Sequence, residues 1–112
     1  EYYDGYAGNQ WAPGREVVLH KGEPVWAMSY QGRHNEDYSA EFFQNEVFPF
    51  LKRALVNVND SLPFRGPKEF TKEDFRYVFQ FKGDYQYFTG RESITHKGIE
   101  VFFQDVMGEL IK

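Results

Sequence analysis

Two glutamates stand in the same local setting, Gly14-Arg15-Glu16 and Gly90-Arg91-Glu92. Coupled carboxylates can split their pKa values, so that one gives a proton and the other takes it. Working in this way, Glu16 and Glu92 would serve a small enzyme as an acid–base pair in an aromatic-lined cavity. The same residue type also has a structural use. A buried carboxylate is stable only with partners, so each glutamate could equally pair with an arginine or cap backbone amides. Arg65, in Phe64-Arg65-Gly66-Pro67, adds a cation on a rigid loop, placed to clamp an anionic ligand or to tie the loop onto a carboxylate. Trp26 and Tyr30 offer apolar faces with hydrogen-bonding tips and complete the candidate ligand site.

Other chemistries find little to build on. There is no GxSxG motif and no cysteine, which leaves Ser-His and Cys-His catalysis without a nucleophile in a recognisable setting. The three histidines show no HxxxH or similar ligand spacing, so neither a metal site nor a cofactor is expected. His20 and His96 fall at turns, and His34 lies in the polar stretch Gly32-Arg33-His34-Asn35-Glu36-Asp37. All three are expected to face solvent.

The elements that must position these residues follow from an internal repeat. Residues 14–26 align with residues 90–102 without a gap, and seven of the thirteen positions are identical. Gly32 and Gly108 extend the match at the same offset of 76, and a one-residue shift aligns Tyr2, Tyr6 and Gly8 with Tyr77, Phe81 and Gly83. Self-similarity of this kind marks a duplicated supersecondary unit, here residues 2–32 and 77–108. Short runs of Tyr, Phe, Val and Ile between glycines read as strands. The first strands cover about 2–8 and 75–83, the second 16–20 and 92–96, the third 25–30 and 99–106.

His-Lys-Gly forms the hairpin turn in both copies. A type I turn with Gly22 or Gly98 as a left-handed bulge residue fits best, because lysine resists positive φ; a two-residue turn is the alternative. Alternation along the second strands puts Glu16 and Val18 on one face, with Glu92 and Ile94 on the same face of the other copy. Val18, Ile94, Val25 and Val101 are expected in the core, and Lys21 and Lys97 at exposed turn tips.

Between the copies, residues 39–58 carry Phe43, Val47, Phe50, Leu51, Ala54, Leu55 and Val58 on one helical stripe. Ser39 is the expected N-cap, and Pro49 must kink this helix or start its second half. Residues 59–73 are expected to form a long irregular connection. The fold class is therefore α+β: two duplicated three-stranded antiparallel meanders (βββ-α-βββ) related by an approximate twofold axis, with one central helix packed on the sheet.

Composition sets the outer bounds. The 112 residues suit one domain, 1–112, and are 41% hydrophobic and 27% charged, as usual for a globular chain. Twelve Phe, eight Tyr and two Trp point to an aromatic core or an aromatic-lined cleft. A net charge of −4 without a basic run argues against nucleic-acid binding by this domain itself. No apolar run reaches the roughly 20 residues of a membrane helix, and no signal-peptide pattern is present. The absence of cysteine suits a reducing cytoplasm. The chain begins at Glu1 rather than methionine, which raises the expectation of a preceding segment.

Several stretches together resemble a bacterial family of unknown function, found alone or fused behind a Cro/repressor-type helix-turn-helix. They are Gly14-Arg15-Glu16, Val25-Trp26-Ala27-Met28-Ser29-Tyr30-Gln31-Gly32, Phe50-Leu51-Lys52-Arg53-Ala54-Leu55, Phe64-Arg65-Gly66-Pro67, and Gly83-Asp84 leading to Phe88-Thr89-Gly90-Arg91-Glu92. The likeness spans most of the chain, although the helix-turn-helix is absent from it. The resemblance implies a bacterial, cytosolic protein and brings no activity or catalytic residues with it.

The resulting expectation is a binding or sensor module without catalysis, holding a small molecule or a protein partner, with a homodimer among the possible assemblies. The paired-glutamate enzyme is the alternative. In either case the cavity is expected where the two meanders meet, lined by Glu16, Glu92, Trp26 and Tyr30, with Arg65 at its mouth.

Overall fold

Seven strands form one antiparallel sheet in the computed structural model, which describes residues 1–8, 11, 13–57 and 67–112. The aromatic and β-branched runs become β1 (Tyr2–Tyr6), β2 (Gly14–His20), β3 (Glu23–His34), β4 (Glu69–Lys72), β5 (Phe75–Asp84), β6 (Tyr87–His96) and β7 (Ile99–Leu110). Their order across the sheet is β1-β2-β3-β7-β6-β5-β4. One helical segment lies against one sheet face, so the class is α+β.

Strands β1 to β3 and β5 to β7 each make a three-stranded meander, and their registers correspond. Glu16 lies between Asp4 on β1 and Met28 on β3. Glu92 lies between Phe79 on β5 and Gln104 on β7. The ladder slips at Val18/Leu19 in the first hairpin and at Ile94/Thr95 in the second, again 76 residues apart. Where the two meanders join, β3 pairs β7 and sets Tyr30 directly opposite Val106.

The hairpin turns differ from the preferred expectation. His20 pairs with Glu23 and His96 with Ile99, leaving two-residue turns in which Lys21 and Lys97 take φ of 51° and 50° and Gly22 and Gly98 take 82°. A turn with both central residues at positive φ matches the right-handed twist of the flanking strands. The twist outweighs the strain of a left-handed lysine, which is of order 1 kcal/mol. Both lysines are exposed.

Between the meanders, Ser39 caps the helical segment, its hydroxyl accepting from the Phe42 amide at 3.0 Å. The segment runs as α1 (Ala40–Phe42), a π turn (Phe43–Val47) and α2 (Phe48–Leu55). The Phe48 amide bonds back to the Phe43 carbonyl, one residue further than in an α-helix. This widened turn falls just before Pro49, which sits in the first turn of α2, where a missing donor does no harm. Phe43, Val47, Phe50, Leu51 and Ala54 are buried along the expected stripe. Val58 lies outside the described residues.

Phe50 packs its ring on Phe70 and Phe75, at 5.6 and 5.2 Å between centroids, so α2 leans toward the β4–β5 edge. The sheet beneath it is aromatic, with Tyr77, Phe79, Phe88 and Phe102 all buried. The other edge is bare: every residue of β1 is exposed. Ile94 and Val101 are accordingly buried, whereas Val18 and Val25 are only half-buried.

Three further expectations are corrected. Part of the stretch expected as irregular connection is β4, a short polar edge strand. His34 does not sit in a solvated loop but ends β3, 6% exposed, its ring 4.8 Å from that of Phe43. His96 packs at 4.4 Å against Phe75 and at 5.4 Å against Phe42, leaving only His20 exposed. These rings pack beneath the start of the helical segment, against Phe42 and Phe43.

Candidate functional site

Because α2 leans toward one edge, a cleft of about 280 Å³ opens between the helical segment and the β1–β3 meander. Its floor is formed by alternate residues of the core-facing side, namely Tyr2, Asp4 and Tyr6 from β1, Glu16 from β2 and Tyr30 from β3. Its roof comes from the helical segment, chiefly Phe43, Phe48, Leu51 and Lys52, and Gln104 closes the inner end.

Asp4 and Glu16 are directly opposed in the β1–β2 ladder. Side chains so placed have their Cβ atoms roughly 5 Å apart. Tyr30 reaches this pair from β3 and donates its hydroxyl to Asp4 Oδ1 at 2.6 Å. It can do so because the strand between them carries a glycine. A methyl group on Gly14 would lie 2.6 Å from Tyr30 Oη and 2.8 Å from its Cζ, so only a residue without a side chain lets the ring cross β2. On the roof, the Lys52 ammonium rests over the Phe48 ring, 4.8 Å from its centroid.

Glu92 has a different environment. It is fully buried and held by two donors, the Tyr77 hydroxyl on Oε2 and Gln104 Nε2 on Oε1 at 2.9 Å. Arg91 points to the opposite face and grips Asp105 with both Nε (2.7 Å) and Nη2 (3.0 Å), its guanidinium 4.4 Å from the Phe103 ring centroid. The hydrogen bond to Asp105 pushes the Arg91 pKa further up, so the guanidinium stays charged.

The expected site is thus brought together only in part. Glu16 and Tyr30 line the cleft; among the described residues Glu92 does not, although its partner Gln104 does. Trp26 is buried elsewhere, stacked on Phe88 at 6.2 Å, and its Nε1 donates to the Tyr85 carbonyl at 2.9 Å, fastening the β5–β6 turn to β3. Arg65 lies outside the described residues. The paired-glutamate geometry also fails. Glu16 and Glu92 are separated by β3 and β7, three strand spacings or roughly 14 Å, and their rows are offset by four residues, roughly 13 Å along the strands. Two carboxylates acting on one bond need to be within about 5–10 Å.

The residue that sequence reasoning missed is Asp4. A signal was present: with the one-residue shift in the alignment, Asp4 falls where the second meander has Phe79, a carboxylate where a core ring is expected.

Among the described residues, no group of three or more His, Cys, Asp or Glu side chains could hold a metal ion, and no helix is long and apolar enough to cross a membrane. No curated protein and no solved structure matches the chain. A match over residues 4–111 places the chain in one family: it belongs to the domain of unknown function DUF5680.

Proposed function

We propose that this domain is a binding or sensor module that holds a small molecule in the cleft over β1–β3 and performs no catalysis of its own. The observation that supports this reading is the cleft itself, where aromatic walls and a few converging polar groups meet between the helical segment and one half of the sheet. Its volume of about 280 Å³ suits a small metabolite.

The meanders are, on this reading, copies of one ancestral unit, supported by matching registers, turns and ladder slips. One copy kept its glutamate as a core support and the other turned it toward a ligand. The bacterial, cytosolic setting and the regulatory context of relatives fused to a helix-turn-helix belong to the same proposal and rest on sequence resemblance. The net charge of −4 supports a domain that leaves nucleic acid to such a fused partner.

A protein partner or a second copy of the chain would instead use the opposite sheet face, where Tyr87 and Met107 are 67% and 59% exposed.

The test is a thermal-shift screen of metabolites combined with native mass spectrometry, run on the parent chain and on Leu55→Trp, which adds bulk to the cleft from α2. The expected result is at least one metabolite that raises Tm and is retained in the gas phase, with both effects lost in Leu55→Trp. A screen without a single retained compound, or one whose hits bind Leu55→Trp equally well, contradicts the proposal.

A further inference from the structure

The two edges of the sheet are held very differently. β4 is fastened twice, by Phe70 against the Phe50 ring at 5.6 Å and by Glu69, which accepts from Arg76 Nε at 3.0 Å. β1 is exposed along its whole length, with Tyr2, Tyr3 and Tyr6 at 58%, 61% and 62%. A strand with one neighbour and little buried apolar surface opens at far lower cost than the whole fold. At the centre of β1 stands Gly5, and neither a positive φ nor a close neighbour requires a glycine there. Nothing lies within 4 Å of the methyl group that an alanine would add, so this glycine only weakens the strand. A specific tie acts in the other direction: the Tyr30 hydroxyl reaches across β2, over Gly14, and donates to Asp4 Oδ1 at 2.6 Å. In the second meander Val106 and Phe79 hold the corresponding places, and neither side chain can make this bond.

We infer that β1 is a detachable strap, released from β2 as one unit and latched in place by the Tyr30–Asp4 hydrogen bond. Release carries Tyr2, Asp4 and Tyr6 away together, so the cleft is complete only while β1 is docked. The device belongs to the fold and does not depend on what the cleft holds.

Strand β2 carries its own control. The Leu19 amide donates to the Glu1 carbonyl at 2.7 Å, and antiparallel alternation makes Val17 and Arg15 the next amides directed at β1. Glu16 and Val18, between them, are directed at β3. Native-state hydrogen exchange, followed by NMR on the isotope-labelled chain, should therefore alternate along one strand. Arg15, Val17 and Leu19 are expected to exchange as a group, about a hundredfold less protected than Glu16 and Val18. At the fastened edge the Phe79 amide, bonded to the Lys68 carbonyl at 2.8 Å, and that of Tyr77 should stay protected. Tyr30→Phe removes the latch donor and should speed the first group about tenfold, without moving Glu16 and Val18. Asp4→Ala should do the same, and the double variant should do no more than either single one, because both remove one bond. Gly5→Ala should act in the opposite sense and slow the group about threefold.

Arg15, Val17 and Leu19 protected as well as Glu16 and Val18 would overturn the inference, since β1 would then leave only with the whole fold; the small-molecule reading of the cleft would still stand. Tyr30→Phe and Asp4→Ala that leave the first group unchanged, or speed both groups alike, would overturn the latch. Protection at Tyr77 and Phe79 reports whether each variant keeps its fold. Should Tyr30→Phe lose it, Asp4→Ala, at an exposed residue, decides by the same criterion.

Discussion

Glu16 and Glu92 occupy the same register position in two meanders and lead opposite lives. Glu92 sits beneath the helix, fully buried, with Tyr77 and Gln104 on its oxygens. Glu16 is half-buried beside Asp4, at the floor of a cleft roofed by the helical segment. The backbone cannot account for the difference, because turns, ladder slips and pairings correspond. The cause is a single helix laid over a two-part sheet: leaning toward β5, it packs closely on one half and leaves a cleft over the other. What surrounds a carboxylate, rather than which strand carries it, decides whether it supports the fold or meets a ligand.

Substitutions at matched positions should expose this asymmetry, beginning with the apolar pair. Ile94 is fully buried and Val18 half-buried at the corresponding place. Ile94→Ala is expected to destabilise by about 3–4 kcal/mol, and Val18→Ala by about 1 kcal/mol or less, by urea denaturation. Equal losses at the two positions would mean that the helix covers both halves alike.

The carboxylates come next. Glu92→Ala leaves the Tyr77 hydroxyl and the Gln104 amide without their carboxylate in a buried space, and is expected to cost about 2–4 kcal/mol. Glu16→Ala, at a half-buried position, should cost less, about 1 kcal/mol. A reversed order in denaturation midpoints would break the comparison.

The smallest effects should be the symmetric ones. Lys21→Asn and Lys97→Asn put a residue that tolerates positive φ into identical two-residue turns, and each should stabilise by about 0.5 kcal/mol. Thermal unfolding showing a gain in one hairpin and a loss in the other would mean that the turns are not equivalent.

Much of this arrangement was legible in the chain itself, for definable reasons. Glycines between aromatic runs mark the strands, and the repeated His-Lys-Gly marks the hairpins. The stripe from Phe43 to Ala54 marks the helix, since an apolar face needs a cover. Local chemistry hid the rest. Glu69-Phe70-Thr71-Lys72 is polar enough to pass for loop, because an edge strand has one neighbour and needs little apolar surface. His34 and His96 look like surface residues by type, but each uses its ring as a flat apolar filler against phenylalanines.

The site was half visible. Glu16 and Tyr30 follow from the repeat, and the departures from it carry more information. Asp4 stands against Phe79, Met28 against Gln104 and Tyr30 against Val106 at corresponding register positions. Two of these three differences, at Asp4 and Tyr30, put polar groups into the first meander, and both residues line the cleft. The third, Gln104, puts one into the second meander, where it holds Glu92. Which half the helix would leave open depends on the lean of α2, a matter of ring packing among Phe50, Phe70 and Phe75 that no single-residue pattern encodes.

The central claim, that one glutamate is fully buried and its counterpart half-buried in a cleft, is tested most directly by carboxyl footprinting. The native chain is treated with a water-soluble carbodiimide and a small amine, digested, and the labelled carboxylates located by mass spectrometry, in buffer and in urea. Native labelling is expected at Asp4 and Glu16 and absent at Glu92, which should react only once the chain unfolds. Labelling of Glu92 in the native chain at a rate matching that of Glu16 would contradict the account.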